Sequence, residues 1–255
     1  MVSIITPTYN CAAFIDETIR SVQHQTISDW EMIVVDDCST DKTMTIVQNY
    51  AHEDSRIRCF CNETNRGAAY SRNRALREAK GEWIAFLDGD DVWMPTKLEE
   101  QLTFMQENNY AFTYHEYEEI DEFSLYLGVH VGGKKTVGKF GMYSCCWPGC
   151  LSVMYNRHVV GLIQIADIKK NNDSAMWFKV IDKTPCYLLP KTLACYRRRK
   201  NSITPSDIKS KIAWHYRLFR QAEDMNPLAA AFWTFANICG NSYKKLFYVK
   251  KYSLT

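Results

Sequence analysis

The sequence predicts an α/β domain built on a mainly parallel, Rossmann-like sheet with helices on both faces, followed by C-terminal helices. Three observations lead there. Short apolar runs alternate with segments of helical periodicity through the first hundred residues. The runs at 2–6, 30–36 and 83–88 end in polar or acidic residues, and Pro95 stands where a helix begins and tolerates proline. A β-α-β-α-β-α-β series of this kind folds as parallel strands with crossover helices, and ligands bind beyond the carboxyl ends of the strands.

Taken in order, "VSIIT" (2–6) is a buried strand, and Phe14, Ile15, Ile19 and Val22 then recur at helical spacing. "WEMIVVD" (30–36) is a second strand, 43–50 a helix, "RIRCF" (56–60) a third strand and 68–79 a helix rich in Ala, Arg and Leu. "WIAFLD" (83–88) is the fourth strand, and a helix follows from Pro95. Beyond 108 the pattern loosens. "YAFTYHEY" (110–117) and "CLSVMY" (150–155) read as strands, and 120–147 reads as irregular. Residues 173–180 are helical, "CYLLP" and "TLACYR" are two short strands, and 206–222 and 228–239 are helices. The expected division is a catalytic domain over 1–205, with halves at 1–108 and 109–205, and a basic helical appendage over 206–255.

Charge is unevenly distributed. The net charge is +2, yet residues 191–255 hold 13 Lys and Arg against 3 Asp and Glu, so the tail carries +10 and the rest −8. Such a tail suits an anionic partner. Its lysines at 244, 245, 250 and 251 interleave with Phe247, Tyr248 and Tyr252, a mixture that fits an anionic membrane interface at least as well as nucleic acid. The competing reading is that the apolar stretch 228–239 packs into a core or a dimer contact. No apolar run reaches the roughly 18 to 20 residues that span a bilayer, and no charged and apolar leader precedes the first strand, so the expected location is the cytoplasm. The cysteines are expected as reduced thiols, and neither Cys59-x-Cys61 nor Cys145, Cys146 and Cys150 has zinc-site spacing.

The acidic groups converge on one edge. Strand one runs into Thr6, Pro7, Thr8, Tyr9 and Asn10; strand two ends in Asp36 and Asp37, with Ser39 and Asp41 following; strand four ends in Asp88, Asp90 and Asp91. Asp41 is expected to cap the next helix. Three clustered carboxylates repel unless a cation receives them, and hard Mg²⁺ or Mn²⁺, arriving with phosphate, is the natural partner. "DGDDVW" lacks the glycine and glutamate of an EF-hand loop, and no GxGxxG follows strand one.

The segments "VSIITPTYN", "IVVDDCSTD", "NRGAAYSRNRAL", "GEWIAFLDGDD" and "NNDSAMW" occur in an order and spacing that resembles glycosyltransferase family 2, inverting enzymes with the A-type glycosyltransferase fold. The resemblance covers roughly residues 1–200. It implies that Thr6, Pro7 and Tyr9 border the base of the donor nucleotide, that Asp37 hydrogen-bonds the base and that Arg72 lies near the nucleotide. Asp88 and Asp90 resemble the Asp-x-Asp pair that handles ribose and metal-diphosphate, with Asp90 the metal ligand. Asp173 resembles the catalytic base, and Trp177 the tryptophan four residues after it. The sequence departs from the family in carrying Asn172 where Glu is frequent, and Arg199 where a histidine often sits near the diphosphate. Arginine neutralises phosphate but does not bind metal.

The implied reaction is attack of an acceptor hydroxyl on the anomeric carbon of a nucleotide diphosphate sugar, a UDP-sugar above all, with Asp173 as base and inversion of configuration. The acceptor implied is a saccharide or lipid-linked saccharide, as in bacterial surface-polysaccharide synthesis; sugar specificity is expected along 120–150 and around Trp147, Pro148 and Gly149, with Trp147 and Trp177 on the acceptor side. Two alternatives stay open: a sugar-nucleotide-forming nucleotidyltransferase, disfavoured because "TPTYN" is not a Gly- and Lys-rich phosphate loop, and a non-catalytic nucleotide-sugar-binding protein.

Overall fold

The computed structural model describes residues 1–166, 168, 170–199 and 208–253. The first half alternates as the apolar pattern requires: β1 (Val2–Thr8), α1 (Ile15–Gln23), β2 (Trp30–Asp36), α2 (Thr43–Glu53), β3 (Ile57–Cys61), α3 (Ala68–Glu78) and β4 (Trp83–Phe86). Every residue of β1, β2 and β4 is buried, the signature of strands covered by helices on both faces. After the two-residue β5 (Val92–Trp93) and α4 (Lys97–Asn108) come β6 (Phe112–Ile120), β7 (Tyr126–Val131), β8 (Thr136–Val137), α5 (Lys139–Ser144), β9 (Met154–Asn156) and α6 (Arg157–Val160). The chain closes with α7 (Asn172–Ile181), β10 (Cys186–Arg197), α8 (Ile208–Arg217), α9 (Pro227–Phe247) and β11 (Val249–Lys251).

One sheet runs through the protein in the order β11-β7-β6-β9-β4-β1-β2-β3, with β10 beside β6. Its β4-β1-β2-β3 half is parallel, as expected. Past β4 the neighbours β9, β6, β7 and β11 pair antiparallel. Strands β2 and β4 flank β1 on opposite sides, so the chain reverses direction across the sheet there. That switch opens the crevice beyond the ends of β1 and β4.

The second half differs from the sequence reading in four places. The segment 120–147, expected to be irregular, contains β7, β8 and α5. The expected strand at 150–155 is a 3-10 turn, Cys150–Ser152, followed by the three-residue β9. The two short strands at 186–197 are a single twelve-residue strand whose register against β6 shifts twice, so bulges rather than a break absorb Pro190 and Lys191. Helix α9 continues eight residues past the expected end at Cys239, to Phe247, and the basic residues after it form β11 on the edge of β7. Of the expected helix at 206–222, residues 206 and 207 lie outside the described residues; the rest is α8 with a π turn at Leu218–Ala222.

Asp41 does serve the start of α2, accepting the Thr43 N–H at 2.9 Å, while its second oxygen takes the Ala12 N–H at 3.1 Å and ties the loop after β1 to that helix. Burial works against its charge, but these bonds hold its carboxyl below the usual range.

Candidate active site

The crevice is assembled from strand ends that lie side by side. Thr8, last in β1, is in register with Asp36, last in β2, and donates to it at 3.2 Å. Thr6 and Pro7 are buried inside the sheet, and the Thr6 hydroxyl has no hydrogen-bond partner among the described residues. Tyr9 is the residue of that segment that faces out, 48 % exposed at the mouth. Asp37 is buried and heavily used: it accepts from Asn62 Nδ2 at 2.8 Å and from the N–H groups of Arg66 and Gly67 at 3.0 and 2.6 Å. Gly67, at φ +88°, makes the turn that presents those N–H groups at the start of α3. Asp37 therefore anchors α3, which carries Arg72.

The loop after β4 bears the acids. A Cβ on Gly89 would stand 2.8 Å from the Thr8 methyl and 3.0 Å from Cys11 Sγ, so only glycine lets the Asp88–Asp90 turn lie against β1. Asp88 is held by Arg72 at 2.5 Å and Asp90 by Arg199 at 2.8 Å. Asp91 turns inward, 1 % exposed, and accepts the Arg197 N–H at 2.8 Å. Burial pushes the Asp90 carboxyl up; Arg199 opposes this and Asp88 adds to it. Asp91 is pushed up further, by complete burial and then by the repulsion of Asp90 and Asp88.

Two arginines organise this edge. Arg72 is nearly buried; its second terminal nitrogen donates to Asn172 Oδ1, and its Nε is buried without a partner among the described residues. Burial disfavours its charge, but Asp88, with Cys150 and Asp173, more than offsets that and holds the guanidinium above its ordinary value. Arg197, 1 % exposed at its side chain, donates to the Asp90 carbonyl at 2.7 Å and to Ser124 Oγ at 2.9 Å, and pairs with Glu17 at 2.5 Å. It clamps the backbone of the acidic turn from behind.

Asp173 is the second residue of α7; the N-cap position is Asn171, whose side chain makes no capping hydrogen bond. One oxygen accepts the Ser174 N–H at 2.8 Å; the other has no hydrogen bond among the described residues. Around it stand Cys146, Cys150, His215 and Lys244, each of whose ionisation its charge influences. Lys244 Nζ donates to the Trp147 carbonyl at 2.7 Å, and burial lowers its pKa against the pull of Cys145, Cys146 and Asp173. Burial likewise lowers His215, whose Nδ1 has no partner among the described residues.

Trp147 lies on this wall but is 2 % exposed, edge-on to Tyr248 with ring centroids 5.0 Å apart. Trp177 does not lie on it. The ring is fully buried, 5.2 Å from Phe86 and 6.0 Å from Phe112, and belongs to the core beneath the site. Arg197 and His215 escaped the sequence reading, whereas Lys244, expected among the tail lysines at a membrane interface, is half-buried and turns inward to the Trp147 carbonyl. Arg197 is one of three consecutive arginines with nothing local to single it out. Lys244 had a legible signal: Thr234, Asn237, Asn241 and Lys244 form a polar stripe at helical spacing in an otherwise apolar helix.

Residues 3–135 match the sequence model of Glycosyl transferase family 2. The chain belongs to this family. The glycosyltransferase is 38 % identical over 96 % of its length, and 97 % of the relative's, to the Bacillus subtilis (strain 168) protein named "Putative teichuronic acid biosynthesis glycosyltransferase TuaG". It is 37 % identical, over 82 % of its length and 81 % of the relative's, to the Escherichia coli UDP-Glc:alpha-D-GlcNAc-diphosphoundecaprenol beta-1,3-glucosyltransferase WfgD. Among solved structures, S. aureus TarS 1–349 in complex with UDP-GlcNAc superimposes with a TM-score of 0.74 at 22 % identity, over 96 % of this chain and 74 % of that one. The mannosyltransferase PcManGT from Pyrobaculum calidifontis, in complex with GDP-Man and Mn²⁺, gives 0.65 at 20 % identity, over 94 % and 73 %. These two likenesses establish the fold.

Proposed function

We propose that this glycosyltransferase moves a sugar from a UDP-sugar, with inversion, to a hydroxyl of a lipid-linked saccharide in surface-polysaccharide synthesis. One observation carries the reading: Arg72 joins Asp88, on the donor side, to Asn172, the neighbour of Asp173, so acid pair and base are tied through a single guanidinium. The UDP donor and diphosphate-linked acceptor are those named for WfgD, and the match spans most of both chains.

In this reading Tyr9 covers the base at the mouth of the crevice, with Thr6, Pro7 and Asp37 shaping its floor, and Asp88 receives the ribose. Asp173 uses its unbonded oxygen to take the proton of the acceptor hydroxyl as that oxygen attacks the anomeric carbon. The bond to the diphosphate breaks with its electron pair on the leaving oxygen, and Arg199 and Arg72 stabilise the charge that develops. Because one base faces one leaving group, displacement is direct and configuration inverts.

The donor set suits a divalent cation: two hard carboxylates one residue apart, in which burial, against Arg199 and with Asp88, raises the Asp90 carboxyl. No group of three or more His, Cys, Asp or Glu side chains gathers to hold a metal among the described residues, so Asp90 would share Mn²⁺ or Mg²⁺ with diphosphate oxygens. When bound, the cation supplies Lewis-acid neutralisation of the departing diphosphate. Segment 1–205 brings donor and base, and 206–255 completes the acceptor wall through His215 and Lys244. An acceptor of this kind is held in a bilayer, which supports a peripheral position at the inner face of the cytoplasmic membrane.

The test is a panel of nucleotide sugars, scored by donor hydrolysis and by thermal stabilisation. A UDP-sugar should stand out, and its transfer to a diphospholipid-linked sugar should give the inverted anomer. A retained anomeric configuration, or synthesis of a nucleotide sugar from a sugar phosphate, would refute the reading.

A further inference from the structure

Helix α9 is packed inside out. Its inner face is mostly small or polar, Ala230, Thr234, Asn237, Asn241 and Lys244, set against α5 and the loop after it, with Trp233 packed on Tyr143 beside them. The opposite face carries Leu228, Phe232, Phe235, Cys239 and Leu246, at the i, i+4, i+7, i+11, i+18 spacing of one helical stripe. Leu228 is 84 %, Phe235 69 % and Leu246 77 % exposed, and Phe247 extends the apolar surface at the C-terminal end. The stripe runs about 27 Å at 1.5 Å per residue.

The helix cannot roll over to hide it. Gly240 lies so close to α5 that a Cβ would meet the Ser144 carbonyl oxygen at 2.0 Å. Asn237 donates to the Tyr143 carbonyl at 2.9 Å, and Lys244 reaches the Trp147 carbonyl beside Asp173. Turning the apolar stripe inward would break these bonds and drive side chains into that contact. The inner face is thus fixed by the active-site wall, and the outer face is left for something apolar. Phe140 of α5, 68 % exposed and 5.3 Å from Trp233, adds to the same region, beside a hollow of about 500 Å³ lined by Lys139, Phe140, Tyr143, Glu223, Met225 and Trp233.

We propose that the outer face of α9 inserts into the interfacial layer of an anionic lipid bilayer, lying in the membrane plane. The occupant follows from charge: residues 208–253 hold eight Lys and Arg against two Asp and Glu, and Lys245, Lys250 and Lys251 are exposed at or just beyond the end of the stripe. An apolar stripe flanked by lysines is the composition of an interfacial helix, bound by buried apolar area together with attraction to anionic headgroups. No helix among the described residues is long and apolar enough to cross a membrane, which fits lying on it. The inference deepens the lipid-linked acceptor reading by naming the surface through which such an acceptor is met, but its evidence is the packing of α9.

Flotation with acceptor-free vesicles tests it independently of transfer chemistry. The wild-type chain should float with vesicles of mixed phosphatidylglycerol and phosphatidylcholine and far less with phosphatidylcholine alone. The triple variant Phe232→Ser, Phe235→Ser, Leu246→Ser should partition at least tenfold less while its UDP affinity, measured by calorimetry as a check on the fold, stays unchanged. Equal flotation of variant and wild type, or equal binding to both lipids, overturns the proposal. So does a lipid-free dimer that the triple variant converts to a monomer, since the stripe would then be covered by a second copy.

Discussion

Arg72 donates one terminal nitrogen to Asp88 at 2.5 Å and the other to Asn172, 100 residues further along the chain. Only a planar, two-pronged cation spans both acceptors; a lysine is a single point charge. Arg72→Lys should therefore cut turnover on the order of tenfold or more through loss of the geometry that positions Asp173, an effect of the size a small misplacement produces. Asn172→Glu should retain most activity, because a carboxylate accepts the same bond, whereas Asn172→Leu should behave like Arg72→Lys. Steady-state kinetics on the three variants decides this, and equal activity in all of them would mean that the bridge has no catalytic consequence.

Asp173→Asn preserves shape and removes basicity. Donor binding should be unchanged and turnover should fall by about 10² to 10⁴, the usual worth of a general base. Near wild-type turnover would assign the proton transfer to another group.

Asp90→Ala should leave the fold intact and abolish the part of UDP affinity that depends on Mn²⁺ or Mg²⁺. It also releases Arg199, 2.8 Å away in the wild type, so metal-free UDP binding should be kept or strengthened. Calorimetry with and without metal separates the two effects; a variant still as metal-responsive as wild type would remove Asp90 from the cation site.

The buried Asp91 sets a pH dependence of stability. Its carboxyl is raised in the folded protein by burial and by Asp90 and Asp88, so between the ordinary carboxylate range and that raised value the native state binds the extra proton. Stability from this group is present at low pH and is lost as pH rises through the window, since the unfolded state then binds fewer protons than the native one. Asp91→Asn keeps an acceptor for the Arg197 N–H and removes the charge. Its melting temperature should exceed wild type at neutral pH, and the gap should close on acidification toward the ordinary carboxylate range. A gap independent of pH would show that Asp91 carries no charge penalty.

Gly89→Ala forces a methyl to within 2.8 Å of Thr8 and should cost about 1–3 kcal/mol, the range for overpacking a tight contact. A denaturant midpoint and the UDP affinity should fall together, because the same turn carries Asp88 and Asp90.

The sequence by itself determined the parallel half of the sheet and the acidic edge. Those features are local: apolar runs of strand length fix β1, β2 and β4, and parallel strands put Thr8, Asp36 and Asp88 on one side whatever the rest of the chain does. It also carried the Asp-x-Asp pair and Asp173 through the resemblance of ordered motifs. Tertiary structure alone decided the rest. The Arg72 bridge to Asn172, the Arg197 clamp and the reach of Lys244 to the Asp173 wall join residues far apart in sequence, and a contact at that separation leaves no trace in local periodicity. Trp177 illustrates the same limit, since a tryptophan four residues after a catalytic acid reads as a wall of the site until its neighbours Phe86 and Phe112 place it in the core. In α9 the pattern was visible but its direction was not. An apolar stripe says that a helix has two faces, and only the packing of Gly240 and Asn237 against α5 says which one meets the protein.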